Sequence, residues 1–331
     1  MKKIFAVTVA LLLALLPLGG CGKEAPQALT AVRLCEVTHS VFYAPFYAAL
    51  ELGYFEEAGL EIELTNGGGA DKVMTAVLAG QSDIGLAGPE AAIYVLKEGR
   101  EDHPVIFGQL TKRDGSFLVG RSPAEDFDWA DLQGAHIIGG RKGGVPEMTL
   151  EYVLRQKGIV PGEDVLVDTS VQFNMMAGAF TGGTGDYVAL FEPTATEVEQ
   201  AGKGYILASI GQESGEIPYT AFFAARSYLR DQGDVIQKFT DAVARGQAWV
   251  QEHTAAEIAQ VIAPQFPDSS LDTLTAVTQR HKDIDAWNQT PVMEQEALER
   301  LETVMETAGE LDGRVDFDTL VDNSFAQKAV K

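Results

Sequence analysis

Short apolar runs alternate with amphipathic helical stretches along most of this 331-residue chain, and that alternation limits the fold more than any other feature. Val32–Val37, Leu60–Thr65, Asp83–Ala87 and Val105–Leu110 read as strands, and Tyr43–Leu52, Asp71–Leu78 and Glu90–Lys97 as the helices between them. Leu60, Ile62 and Leu64 alternate with polar residues, Val73, Val77 and Leu78 share a helix face, and Pro89 opens the following helix. Strands joined by helices of this length form a mostly parallel sheet covered on both faces. The pattern then restarts. Phe117–Gly120 crosses to a second unit, with strands at His136–Ile138, Val165–Asp168, Tyr187–Phe191 and Tyr205–Ala208 and helices at Pro146–Gln156 and Phe173–Phe180. Thr220–Ala224 returns the chain, and four helical stretches follow: Val235–Glu252, Ala255–Ile262, Leu271–Asp283 and Glu294–Ala308. The expected fold class is α/β, with two lobes around a central cleft. Residues 31–114 begin the first lobe, 115–215 form the second, and 216–331 return to the first with the C-terminal helices.

In such sheets ligands sit beyond the C-terminal ends of strands, near helix N-termini. The residues just after each strand are therefore the candidates. The first strand leads into His39, Phe42 and Tyr43, with Glu36 at its end. Glu90, Arg113, Ser170, Gln172 and Glu192 follow later strands, and Tyr219 precedes the return strand. Together they supply aromatic faces and a few polar groups, the usual make-up of a small-molecule site. The loop GGRKGGVPE, residues 139–147, is the sharpest local feature. Its glycines permit tight turns, and the helix it opens can receive an anion on free N–H groups beside Arg141 and Lys142. It lacks the G-x-G-x-x-G and P-loop spacings. The bland reading is a turn with two solvated cations. Glu147 either complements the dipole of that helix or meets a ligand amine. His39 either bonds a ligand or its own neighbours; no second histidine lies at metal-ligand spacing, and no metal or other cofactor is expected.

The chain opens with Lys2 and Lys3, an apolar run from Ile4 to Leu16, then Gly19, Gly20 and Cys21. That order is a secretion signal, and the apolar run is shorter than the ~20 residues a membrane span needs. Residues 1–20 are expected to be a lipoprotein signal, Cys21 the lipid attachment point, and residues 21–30 a tether. The protein would then be extracytoplasmic and anchored to the bacterial membrane. The full chain carries −23; losing the two lysines leaves −25 on 311 residues, a poor surface for nucleic acid. With Cys21 lipidated, Cys35 has no intrachain partner and reads as a core thiol.

The stretch HSVFYAPFYAALELGYFEEAGLEIELTNGGG, residues 39–69, resembles the opening of the solute-binding proteins grouped with nitrate, sulfonate and taurine receptors and thiamine-precursor pyrimidine receptors. Gly53, Tyr54, Phe55, Gly59 and Leu60 carry its turn. ADKVMTAVLAGQSDIGLAG, residues 70–88, and GDYVALFEP, residues 185–193, are similar to later family segments. The resemblance implies a periplasmic-binding-protein type II fold, a non-catalytic role, and transfer of cargo to the permease subunits of an ABC importer. The four acids and the aromatics point to a small nitrogen-containing aromatic compound, such as a thiamine-precursor pyrimidine. The alternatives are an alkylsulfonate, taurine or nitrate held by Arg141 and helix N-termini, or, in other classes, a pyrimidine-related enzyme or an adhesive protein.

Overall fold

The computed structural model describes residues 28–331; the signal segment, Cys21 and most of the expected tether lie outside them. Ten strands form two five-stranded sheets. They are β1 (Thr30–Glu36), β2 (Leu60–Asn66), β3 (Ile84–Ala87), β4 (Pro104–Thr111), β5 (Ser116–Gly120), β6 (His136–Ile138), β7 (Leu166–Asp168), β8 (Tyr187–Phe191), β9 (Tyr205–Ser209) and β10 (Thr220–Ala225). The first sheet runs β2-β1-β3-β10-β4 and the second β7-β6-β8-β5-β9. In the first, β1 pairs in parallel with β2, from Thr30 opposite Leu60 to Glu36 opposite Asn66, and with β3 on its other side. In the second, β6 pairs in parallel with β7 and β8.

The mostly parallel expectation needs one correction. The strand that enters each sheet from the other lobe runs antiparallel and sits inside the sheet. β5 lies between β8 and β9, and β10 between β3 and β4. Hydrophobic spacing identifies a strand but not its direction, so the sequence could not reveal this.

Each sheet has its own core. Phe46, Phe55, Phe107, Phe222 and Phe239 fill the first, and Leu118, Ile137, Ile138, Leu150 and Phe180 the second. The long helix Gly233–Glu252 packs on helix Ala44–Glu51 at close range. A Cβ at Gly246 would strike the Pro45 carbonyl and lie 2.8 Å from the Ala49 Cβ. Cys35 is buried and free, and burial pushes its thiol pKa up. No helix among the described residues is long and apolar enough to cross a membrane.

Candidate functional site

Between the sheets lies a cleft with an empty volume of about 600 Å³. Two aromatic residues, Tyr43 and Tyr219, and the Thr220 hydroxyl come from the first lobe; Phe173 and Phe191 close the opposite wall. Three helix starts reach it. Gly69–Ala70 begins helix Ala70–Leu78, Glu90 begins Glu90–Lys97, and Gly144–Pro146 begins Val145–Gln156. None of the three N-cap residues caps its helix with a side chain. The loop before the third helix turns at Gly140 (φ 92°) and Gly143 (φ 72°), conformations glycine adopts without strain. That turn brings Arg141 to the cleft, its Nε 3.7 Å from Asp71 Oδ1 on the other lobe.

Glu90 is the acid that the cleft retains. It is buried, Oε2 has no hydrogen-bond partner, and a side chain at Gly88 would collide with its carboxylate. Burial pushes its pKa up to about 7; Arg141 and the N–H groups of Glu90, Val145 and Ala91 pull the other way. Burial likewise raises the phenols of Tyr43 and Tyr219. Tyr219 faces Asp114, a buried carboxyl just before β5 that burial lifts to about 7 and that accepts the Ser116 N–H at 2.7 Å.

Of the twelve expected ligand residues, Tyr43, Glu90, Arg141 and Tyr219 line this cleft. The others lie outside its lining. Glu36 accepts the Tyr47 hydroxyl at 2.6 Å and lies 2.7 Å from His39 Nδ1. His39 Nε2 is 2.8 Å from the Gln265 carbonyl. The Glu36 bond raises the imidazole pKa. Phe42 is core, packed near Tyr43, Phe191, Tyr219 and His281. Arg113 pairs with Glu216 at 3.6 Å. Glu147 accepts the Gly143 N–H at 3.0 Å and so braces the loop from behind. Ser170 donates to Asp168 at 2.6 Å, and Gln172 is an exposed residue ahead of the turn at Phe173. Glu192 accepts the Thr196 N–H and hydroxyl, each at 2.9 Å, and pairs with Arg280 of the other lobe. Burial raises the Glu192 pKa against that cation.

The lobes touch at several points around the cleft. The Ser40 hydroxyl donates to the Glu192 carbonyl at 2.5 Å, Tyr94 to the Gly143 carbonyl at 2.9 Å, and Arg280 also to the Thr196 hydroxyl at 2.9 Å. Gly69, Gly88, Gly144, Thr38, Phe173 and Thr220 line the cleft without having been singled out as site residues. For Gly69 and Gly144 a signal exists: glycine, rather than Ser, Thr or Asp, stands directly before a helix. Among the described residues no group of three His, Cys, Asp or Glu side chains is placed to hold a metal.

A cleft between two α/β lobes, each sheet completed by an antiparallel strand, is the arrangement of the type II periplasmic-binding-protein fold. The chain belongs to the NMT1/THI5-like family, whose model matches residues 41–256. It is 42% identical over 311 residues to YtlA of Bacillus subtilis (strain 168), covering 94% of this chain and 92% of that one. The fold is also that of the alkanesulfonate-binding protein SsuA of Xanthomonas axonopodis pv. citri bound to MOPS (TM-score 0.69, 17% identity, 88% of this chain and 98% of that one). It matches the periplasmic nitrate-binding protein NrtA of Synechocystis PCC 6803 as well (TM-score 0.71, 16% identity, 91% and 88%).

Proposed function

We propose that the protein is the extracytoplasmic solute receptor of an ABC importer and that its cargo is a small organic anion, with an alkylsulfonate as the model ligand. In this reading Cys21 carries the lipid anchor, the lobes divide near residues 114 and 215, and the loaded receptor presents its cargo to the permease. The observation that carries the anion is the meeting of the uncapped helix start at Gly69–Ala70 with Arg141 in the cleft. Free N–H groups and a guanidinium favour a negative group, and the aromatic walls suit its organic body. The alkanesulfonate-binding protein SsuA and the nitrate-binding protein NrtA share this fold, which lends the reading support.

Glu90 and the aromatic walls favour a second reading, a thiamine-precursor aminopyrimidine stacked on the rings and bonded to the carboxylate. Calorimetry with methanesulfonate, taurine, nitrate and a hydroxymethyl aminopyrimidine separates the two. Sulfonate binding that weakens at least tenfold in Arg141→Met is the expected result. Tight aminopyrimidine binding without any anion binding would overturn the anion reading.

A further inference from the structure

Among the residues lining the cleft, the ionisable side chains are Tyr43, Glu90, Arg141 and Tyr219. Burial raises both phenols, so they keep their protons. Charge in the cleft therefore comes down to one guanidinium and one carboxyl. The guanidinium is already shared: it is 40% exposed, and its Nε lies 3.7 Å from Asp71 on the other lobe. The carboxyl of Glu90 is shut away from water at 1% exposure, and its Oε2 has no donor.

The groups around Glu90 decide what that oxygen can do. Arg141 is the cation that acts on it, from the loop of the second lobe. Tyr43 and Tyr219 face it from the first lobe, and Tyr94 from one turn further along its own helix. Tyr94 donates its hydroxyl hydrogen to the Gly143 carbonyl at 2.9 Å. Glu147 and Glu310 act on Tyr94 from outside the cleft lining. A bound anion would thus set two negative charges beside one guanidinium, against the rings of Phe173 and Phe191. Two like charges in such a site do not both stay ionised. A carboxylic acid has an O–H to donate to an anion, whereas a carboxylate only accepts.

Building on the anion reading above, we infer that the receptor captures its anion together with one proton, which Glu90 takes from solvent and holds as a carboxylic acid whose O–H donates to the ligand. An ionised Glu90, a solvent proton and the free anion become a neutral acid hydrogen-bonded to the bound anion, and no bond of the ligand breaks. Loading is thereby pH-dependent even for a sulfonate, which does not itself titrate near neutrality. The proton returns to solvent when the anion leaves.

Proton uptake is counted directly. Sodium methanesulfonate is added to the full mature chain in unbuffered solution held at constant pH by an autotitrator, and calorimetry at the same pH gives the fraction bound. The Glu90 carboxyl titrates at about 7 in the free protein, so about 0.9 proton per anion should be taken up at pH 8 and about 0.1 at pH 6. Affinity should fall by about ninefold from pH 8 to pH 9. Glu90→Gln should bind the anion with no uptake and no such fall. Glu147, outside the lining, is a neighbouring carboxyl that burial also lifts to about 7, and Glu147→Gln should keep both effects. The count on the unaltered protein decides the matter if circular dichroism shows that a variant does not fold. Methanesulfonate bound at pH 8 without proton uptake would overturn the proton-coupled capture and leave the anion reading standing. Uptake that persists in Glu90→Gln would do the same. Failure of methanesulfonate to bind at both pH 6 and pH 8 would overturn both.

Discussion

Replacing Glu90 by Gln should make the protein more stable at alkaline pH. The carboxyl titrates at about 7 in the folded chain against 4.5 for an ordinary glutamate, with burial as the main cause. A folded-state pKa raised above the unfolded value means that the native state binds the proton more tightly. The resulting stability is full below about pH 4.5 and is lost as pH rises through about 7. Above that, the ionised carboxylate carries a penalty of about 3 kcal/mol, since each tenfold difference in proton affinity is about 1.4 kcal/mol. Gln keeps the shape and has no charge to desolvate. Chemical denaturation of both proteins at pH 4.5 and pH 8 should give nearly equal stabilities at the lower pH and an advantage of about 3 kcal/mol for Glu90→Gln at the higher. The same exchange should strengthen anion binding at pH 8 and flatten its pH dependence, because a bound anion disfavours a carboxylate beside it. A variant that is less stable at pH 8, or that keeps the wild-type pH dependence, would refute the assignment of the penalty to this group.

Two further outcomes follow from the way the lobes and helices meet. Arg280→Met leaves the Glu192 carboxylate buried without its cation, at a cost of up to about 3 kcal/mol to the contact between the lobes; X-ray scattering of the unliganded protein should show a larger radius of gyration, together with weaker ligand binding, and unchanged values of both would show that the pair does not hold the lobes together. Gly246→Ala pushes helix Gly233–Glu252 off the Pro45 carbonyl and should cost about 1–3 kcal/mol despite the better helix propensity of Ala; a fall of several degrees in Tm with ligand affinity retained is expected, and a rise in Tm would contradict the close packing.

Helix positions were legible where the residues at their starts mark them. Glu90–Lys97 follows Pro89, Ala255–Ile262 starts at the Thr254 capping box with Glu257, and Leu271–Asp283 starts at Ser270, whose hydroxyl accepts the Thr273 N–H. The acids of the site were harder. Glu36, Glu90, Glu147 and Glu192 share one sequence signature, an acid at or soon after a strand end, yet only Glu90 faces the cleft. What separates them is the partner each finds. Glu147 bonds four residues back, at Gly143, whereas Arg280 reaches Glu192 from 88 residues away. Contacts of that second kind leave no trace in local spacing. The GGRKGGVPE loop read well for the opposite reason, since its turns and its helix start depend on neighbouring residues alone.

The placement of β5 and β10 also dictates an order of assembly. The second sheet is built from one unbroken stretch, Ser116 to Ser209, and can close as soon as that stretch is available. The first cannot. Its strand β10 must wedge between β3 and β4 more than a hundred residues after they were laid down, so its centre stays open until the chain has come back. Closing a loop of that size before any contact rewards it is slow. For a chain that emerges from its N-terminus, the lobe begun first is therefore the lobe finished last.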